Sequence, residues 1–172
     1  METIYAIDLK NGLSKNGSIP WKSKTDMDFF VKKTKNNIVI MGKNTFFSIP
    51  EQHRPLKNRL NIVLTSNPHL YKNNQDSNVL FTNNTDIYKY ILQNRNEYYE
   101  TYKCLGIDFK IFIIGGKTIY DQFIPLCNTV WVTHIKTDYK CDLIIDYDYS
   151  KCFDSEVYEE TDELTIVKYT RI

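Results

Sequence analysis

A chain of 172 residues is long enough to bury one hydrophobic core and short for two, so a single domain over residues 1–172 with one active site is expected. Its 22 basic and 21 acidic side chains are interspersed, which leaves no basic face for nucleic acid or an anionic membrane. Apolar runs fall far short of the ~20 residues of a membrane span, and Met1-Glu2-Thr3-Ile4 lacks the basic then apolar opening of a signal peptide, so a cytoplasmic protein is expected.

In chain order, Thr3 to Ile7 is β-branched and aromatic and runs into Asn11-Gly12 and Asn16-Gly17, a strand leading into a mobile, glycine-punctuated loop. Thr25 and Asp28 have the spacing of a capping box, and Met27, Phe30 and Val31 recur at helical intervals, which predicts a helix over residues 26–35. Asn37 to Gly42 and Arg59 to Thr65 are short β-branched runs that read as buried strands. Between them lie a short helix near Thr45 to Ser48 and a loop from Pro50 to Pro55. The polar stretch Lys72 to Asn78 is expected to be a loop. A strand at Val79 to Thr82, a helix over about 85–93, a strand at Lys110 to Ile114, a helix after Gly116 and a strand at Val130 to Ile135 follow. Residues 94–108 fit helix and loop equally well. Glu156 to Glu159 and Leu164 to Tyr169 close the chain as an antiparallel hairpin. The alternation predicts an α/β fold: a mainly parallel sheet with that hairpin at one edge and helices on both faces.

Cys104, Cys127, Cys141 and Cys152 are unevenly spaced, without a Cys-x-x-Cys pair, and read as reduced thiols rather than metal ligands. With three histidines in the chain, no metal site and no hydrolytic triad is expected. Asp26 opens a helix one turn before Phe30 and close after Trp21. Burial there would raise its pKa and suit it to handling protons, although helix N-termini favour acids for electrostatic reasons that describe Asp28 equally well. Gly115-Gly116-Lys117-Thr118 joins a buried strand to a helix, a place for a pyrophosphate or simply for close helix–strand packing. It is neither a P-loop, since Ile111 holds the position of the first glycine, nor a G-x-G-x-x-G fingerprint. Met41-Gly42-Lys43-Asn44-Thr45 makes a second such junction. Arg54 and Arg59 flank a proline-containing loop, and either could clamp a carboxylate.

Taken together, Gly17-Ser-Ile-Pro20-Trp21, Asp26 with Phe30, Ile40-Met-Gly42-Lys43-x-Thr45-Phe-Phe-Ser48-Ile49-Pro50, Arg54-Pro55-Leu56-x-x-Arg59-x-Asn61, Ile113-Ile-Gly115-Gly116-x-x-x-Tyr120 and Thr133-His134-Ile135 resemble dihydrofolate reductases in order and spacing. The resemblance spans Ile4 to Ile135. It implies reduction of 7,8-dihydrofolate by hydride transfer from nicotinamide C4 of NADPH to pterin C6, with antifolates as inhibitors and no fused thymidylate synthase. Asp26, supported by the Thr133 hydroxyl, is implied to orient the pterin and favour its protonation. Ala6, Met27, Phe30, Ser48, Ile49, Leu56 and Ile114 are implied to line the substrate pocket, and Arg59 to hold the glutamate α-carboxylate. On the cofactor side the resemblance implies Ala6, Leu13, Ser14 and Ile114 at the nicotinamide. It implies Lys43, Asn44, Thr45, Thr65 and Ser66 at the adenosine phosphates, and Gly115, Gly116, Lys117, Thr118, Ile119 and Tyr120 around the pyrophosphate. The loop from Leu13 to Ser18 is implied to close over the nicotinamide.

Three positions depart from the family pattern: Ser14 stands where glycine is usual, Phe46 replaces tryptophan, and Leu143-Ile144-Ile145-Asp146 lacks the usual Phe-Pro. A same-fold NADPH-dependent reductase of another heterocycle is the near alternative, disfavoured by the joint presence of Trp21, Asp26 and Arg59. A non-catalytic folate- and NADPH-binding protein is the other. A monomer is expected, since no amphipathic stretch is left unexplained.

Overall fold

The computed structural model describes residues 1–74 and 77–172. Its strands are β1 (Glu2–Ile7), β2 (Gly12–Ser14), β3 (Ile38–Gly42), β4 (Leu60–Leu64), β5 (Val79–Thr82), β6 (Ile111–Gly115), β7 (Thr129–Ile135), β8 (Leu143–Ile144), β9 (Phe153–Glu160) and β10 (Leu164–Arg171). Its helices are α1 (Lys24–Thr34), α2 (Lys43–Ser48), α3 (Ile87–Gln93), α4 (Arg95–Thr101) and α5 (Lys117–Phe123). Eight strands form one sheet in the order β5-β4-β3-β6-β1-β7-β10-β9. The first six of that order run parallel, and the hairpin β9–β10 adds antiparallel to β7 with a bulge between Ile166 and Val167.

Parallel strands covered on both faces need apolar residues at successive positions, which is why Ile38-Val39-Ile40-Met41 is buried without interruption. Side chains then alternate between two cores. Ile38, Ile40, Leu60, Ile62, Ile111, Ile113, Val130 and Val132 pack with Ile91 of α3, Tyr98 of α4, and Tyr120 and Phe123 of α5. Ile4, Val39, Met41, Val63, Phe112, Trp131, Leu164 and Ile166 pack with Phe29 of α1 and Phe46 of α2. Helices therefore cover both faces of the sheet, as the strand–helix alternation predicts.

The structure corrects several local expectations. Helix α1 starts at Lys24, not residue 26, because Ser23 caps it: its Oγ accepts the Asp26 N–H at 3.2 Å. Asp28 takes no part in that cap and pairs with Lys24 on the exposed face, at 2.6 Å. The face of α1 turned to the sheet is Phe29 with Thr34, whereas Met27 and Val31 stay 59% and 40% exposed. Residues 94–108 resolve into α4 followed by a loop that buries Leu105. The segment Lys72 to Asn78, expected as a loop, starts in a 3-10 turn over Pro68–Asn74 and ends in a turn at Ser77 and Asn78, while Gln75 and Asp76 lie outside the described residues.

The glycine-punctuated loop near the start of the chain also has local structure. Lys15 and Ser18 exchange backbone hydrogen bonds around Asn16 and Gly17, both with positive φ, 50° and 80°, a two-residue turn of the kind that Asn-Gly favours. Its base, β2, pairs antiparallel with β8, so the stretch after Asp142 that departs from the family pattern lies beside this loop. The Asp142 side chain accepts the Asn16 N–H at 2.9 Å.

Candidate active site

The Ser23 cap places Asp26 in the first turn of α1, on the sheet face that carries Thr133. Thr133 lies on β7 directly opposite Ala6 of β1 and is 1% exposed. Burial is the dominant influence on Asp26 and raises its pKa above the ordinary carboxylate value; the Thr133 hydroxyl and the Trp21 indole oppose it by favouring the charged form. Trp21 is buried against Tyr139, with ring centroids 5.7 Å apart. Its Nε1 has no hydrogen-bond partner among the described residues. No ion pair to Asp26 occurs among the described residues.

At the other end of α1, Arg59 is 8% exposed. Its Nη1 donates to Thr34 Oγ1 at 3.1 Å, its Nε donates to the Lys57 carbonyl at 2.9 Å, and its guanidinium lies 5.9 Å from the Phe30 ring centroid. Burial pulls its pKa down, and no carboxylate pairs with it among the described residues. Asp26 and Thr34 are eight residues apart on one helix, a separation of about 12 Å along the axis. Phe30, Ile49, Leu56, Ala6 and Ile114 are partly buried against the same apolar core. A partly covered apolar surface thus accompanies an unpaired acid and an unpaired guanidinium.

The two glycine-bearing junctions meet. Strands β3 and β6 are neighbours with Met41 opposite Gly115, and a Cβ on Gly116 would lie 3.2 Å from Thr45 Oγ1. Gly115 has φ +118°, and a Cβ there would crowd the Tyr120 ring at 3.0–3.2 Å; the Gly115–Gly116 peptide is cis. Both positions therefore present bare backbone, which lets a pyrophosphate approach closely. Tyr120 donates to the Ile4 carbonyl at 3.2 Å, tying this turn to β1. Lys43, Asn44, Ser66 and Thr118 are exposed, and Thr65 is half-buried at the carboxyl end of β4, as befits groups reaching for phosphates. This donor set fits a dinucleotide.

Some residues implicated by the sequence stand differently. Leu13 is 9% exposed and packs into the core on the α3–α5 side, so only its backbone is free to face a cofactor. Lys117 is directed along its own helix to Asp121, at 2.6 Å, and Ile119 packs beside Gly42, 3.3 Å from the position of an added Cβ. Ser48 donates back to the Thr45 carbonyl at 2.6 Å, and Met27 is open to solvent. Arg54, an alternative carboxylate clamp from sequence, donates instead to the Phe47 and Ile49 carbonyls at 3.3 and 2.9 Å. The local pattern passed over Thr34, whose only signal was a hydroxyl in the last turn of a helix. It also passed over Asp8, a carboxylate just after a strand.

A family model described as dihydrofolate reductase matches residues 1–171. The chain is 35% identical over 150 residues to the dihydrofolate reductase of Ureaplasma parvum serovar 3, covering 87% of this chain and 84% of that protein. It is 31% identical over 148 residues to the Drosophila melanogaster enzyme of that name, covering 81% and 75%. A solved dihydrofolate reductase from Enterococcus faecalis, complexed with NADP(H) and RAB-propyl, superposes with a TM-score of 0.70 at 26% identity, covering 99% of this chain and 95% of that one. The chain therefore belongs to the dihydrofolate reductase family.

Proposed function

We propose that this chain reduces 7,8-dihydrofolate to 5,6,7,8-tetrahydrofolate with NADPH, supporting thymidylate synthesis and one-carbon metabolism. The observation that carries the reading is the pairing of opposites along α1: a half-buried acid without a base at one end and a buried arginine without an acid at the other. Such groups are costly to withdraw from water unless a ligand completes them. A pterin offers N–H donors to Asp26, and the benzoylglutamate tail offers a carboxylate to Arg59.

The chemistry follows from these placements. NADPH, when bound, supplies the hydride that passes from nicotinamide C4 to pterin C6. Lys43, Asn44, Thr45, Thr65, Ser66 and the bare Gly115-Gly116 backbone hold its phosphates, and Ala6, Ser14, Ile114 and the backbone of Leu13 border its nicotinamide. Asp26 receives the pterin ring nitrogen and amino group, with Thr133 fixing the carboxylate. Its raised pKa keeps it exchanging protons closer to neutrality than a solvated aspartate does, and it favours the protonated pterin. Phe30, Ile49 and Leu56, with Met27 exposed on the same helix, provide apolar contact for the benzoyl ring, and Ser48 borders it. The loop from Leu13 to Ser18 excludes water. The chain acts as a monomeric single domain over residues 1–172 in the cytoplasm and binds antifolates at the same site. Among the described residues no helix is long and apolar enough to cross a membrane.

The test is NADPH oxidation, followed by absorbance, with dihydrofolate as substrate. Turnover by the wild type and its loss in Asp26→Asn supports the reading. A folded protein that binds NADPH and ignores dihydrofolate points to another heterocycle, and one that binds both without turnover is a binding protein.

A further inference from the structure

Asn61 is wholly buried on β4, in a position where its neighbours Leu60, Ile62 and Val63 are all apolar. An amide tolerates such a place only when its hydrogen-bonding capacity is used. Its Oδ1 accepts the Leu56 N–H at 2.9 Å, and its Nδ2 faces the carbonyls of Leu56, Arg59 and Asn78 at 2.9, 3.1 and 3.3 Å. Asn78, arriving from the turn before β5, repeats the pattern: its Nδ2 donates to the same two carbonyls, Leu56 and Arg59, at 3.3 and 3.2 Å. Its own carbonyl accepts the Asn61 backbone N–H at 2.9 Å. The short segment that carries Arg59 is thus held from β4 and from the turn before β5 by two side-chain amides. Thr34, fully buried at the end of α1, completes the arrangement by donating to the Phe30 carbonyl at 2.7 Å while accepting from Arg59 Nη1. With Nε on the Lys57 carbonyl, two donor positions of the guanidinium are engaged with protein, and Nη2 has no protein partner among the described residues.

We infer that Thr34, Asn61 and Asn78 are positioning residues that hold the Arg59 fork with Nη2 presented to a ligand carboxylate, and so set the preference for substrates with a carboxylate tail over pterins without one. The inference rests on the reading of Arg59 given under the proposed function. A side chain as flexible as arginine loses entropy on binding unless its geometry is fixed beforehand, so the benefit of this framework appears in substrate affinity rather than in the chemical step.

Steady-state kinetics with 7,8-dihydrofolate and with 6-methyl-7,8-dihydropterin, which lacks the tail, tests it at saturating NADPH. Thr34→Val and Asn78→Ala should each raise KM for dihydrofolate about tenfold with kcat within about twofold, and leave kcat/KM for the tail-less pterin within about twofold. Thr34→Ser, which restores the hydroxyl, should behave as wild type. Variants that keep the wild-type preference, or that lose both substrates in parallel, overturn the inference. Buried Asn61 is left out of the variant set, so the test does not depend on a chain that fails to fold. A wild type that makes no distinction between the two substrates overturns the reading of Arg59 itself, and with it the framework.

Discussion

Asp8 and Asp26 are both withdrawn from water in the same fold, and the protein drives them in opposite directions. Asp8, 2% exposed just beyond β1, accepts the backbone N–H groups of Lys10, Gly12 and Tyr139 at 2.9, 2.7 and 2.9 Å. Burial alone would raise its pKa, but the three amides, joined by the Cys141 thiol, outweigh it and hold the carboxyl below the ordinary value. At Asp26 the Thr133 hydroxyl and the Trp21 indole favour the charged form too weakly to offset desolvation, and burial wins. Burial alone therefore does not decide a carboxylate's protonation; the outcome is the balance between desolvation and the donors aimed at it. Asp8 is a fastener joining β1, β2 and the segment before β8, while Asp26 is left under-satisfied.

The comparison breaks most visibly in activity. Asp26→Asn keeps the shape but cannot take up or release a proton, and should lower kcat/KM for dihydrofolate on the order of 10²- to 10³-fold at neutral pH. An unimpaired variant would mean that the two aspartates do not differ in kind. Next in size, Asp8→Ala strips three backbone donors of their acceptor and should cost about 2–3 kcal/mol in a urea melt. A loss within error would show that water replaces the carboxylate freely.

The same melts repeated across pH sharpen the contrast, because the two signs are opposed. Asp26 binds its proton more tightly folded than unfolded, so wild-type stability declines as pH rises from 3.8 through its raised pKa. Asp26→Asn should therefore be the more stable protein at neutral pH, with the advantage vanishing below 3.8. Asp8 contributes stability above its unfolded value and loses it as pH falls through its depressed pKa, so the deficit of Asp8→Ala should be greatest at neutral pH and shrink in acid. The smallest effect is that of Thr133→Val. Removing the hydroxyl that favours the Asp26 carboxylate should move the midpoint of the pH profile of kcat/KM upward. An unmoved midpoint would assign that profile to another group.

Much of this molecule was legible from residue order. Runs such as Ile38 to Met41 and Ile111 to Ile114 are apolar at successive positions, which suits strands covered on both faces, and their alternation with helices implied a parallel sheet. The motifs around Asp26, Arg59 and Gly115-Gly116 carried the family resemblance, since their spacing is a property of the chain itself. What remained illegible was which partner each group would find. Thr25 and Ser23 are both good caps; in the structure Ser23 caps α1, whose Phe29 docks against Trp131 with ring centroids 5.7 Å apart. Met27 and Val31 look like core by their spacing, yet the core lies on the other face of α1.

The residues that give Asp26, Arg59 and Asp8 their character come from distant parts of the chain. Thr133 acts on Asp26, Thr34 and Asn78 reach Arg59 and its backbone, and Tyr139 closes the cage around Asp8. Periodicity and turn chemistry depend on neighbours a few positions away, so residue order alone was enough for most of the elements, their order and the family. Long-range hydrogen bonds depend on register and packing angle, small displacements of which exchange one partner for another. Packing was therefore needed to settle that one aspartate is satisfied and the other is not, and that Arg59 is braced by two asparagines and a threonine, with part of its guanidinium free of protein partners among the described residues.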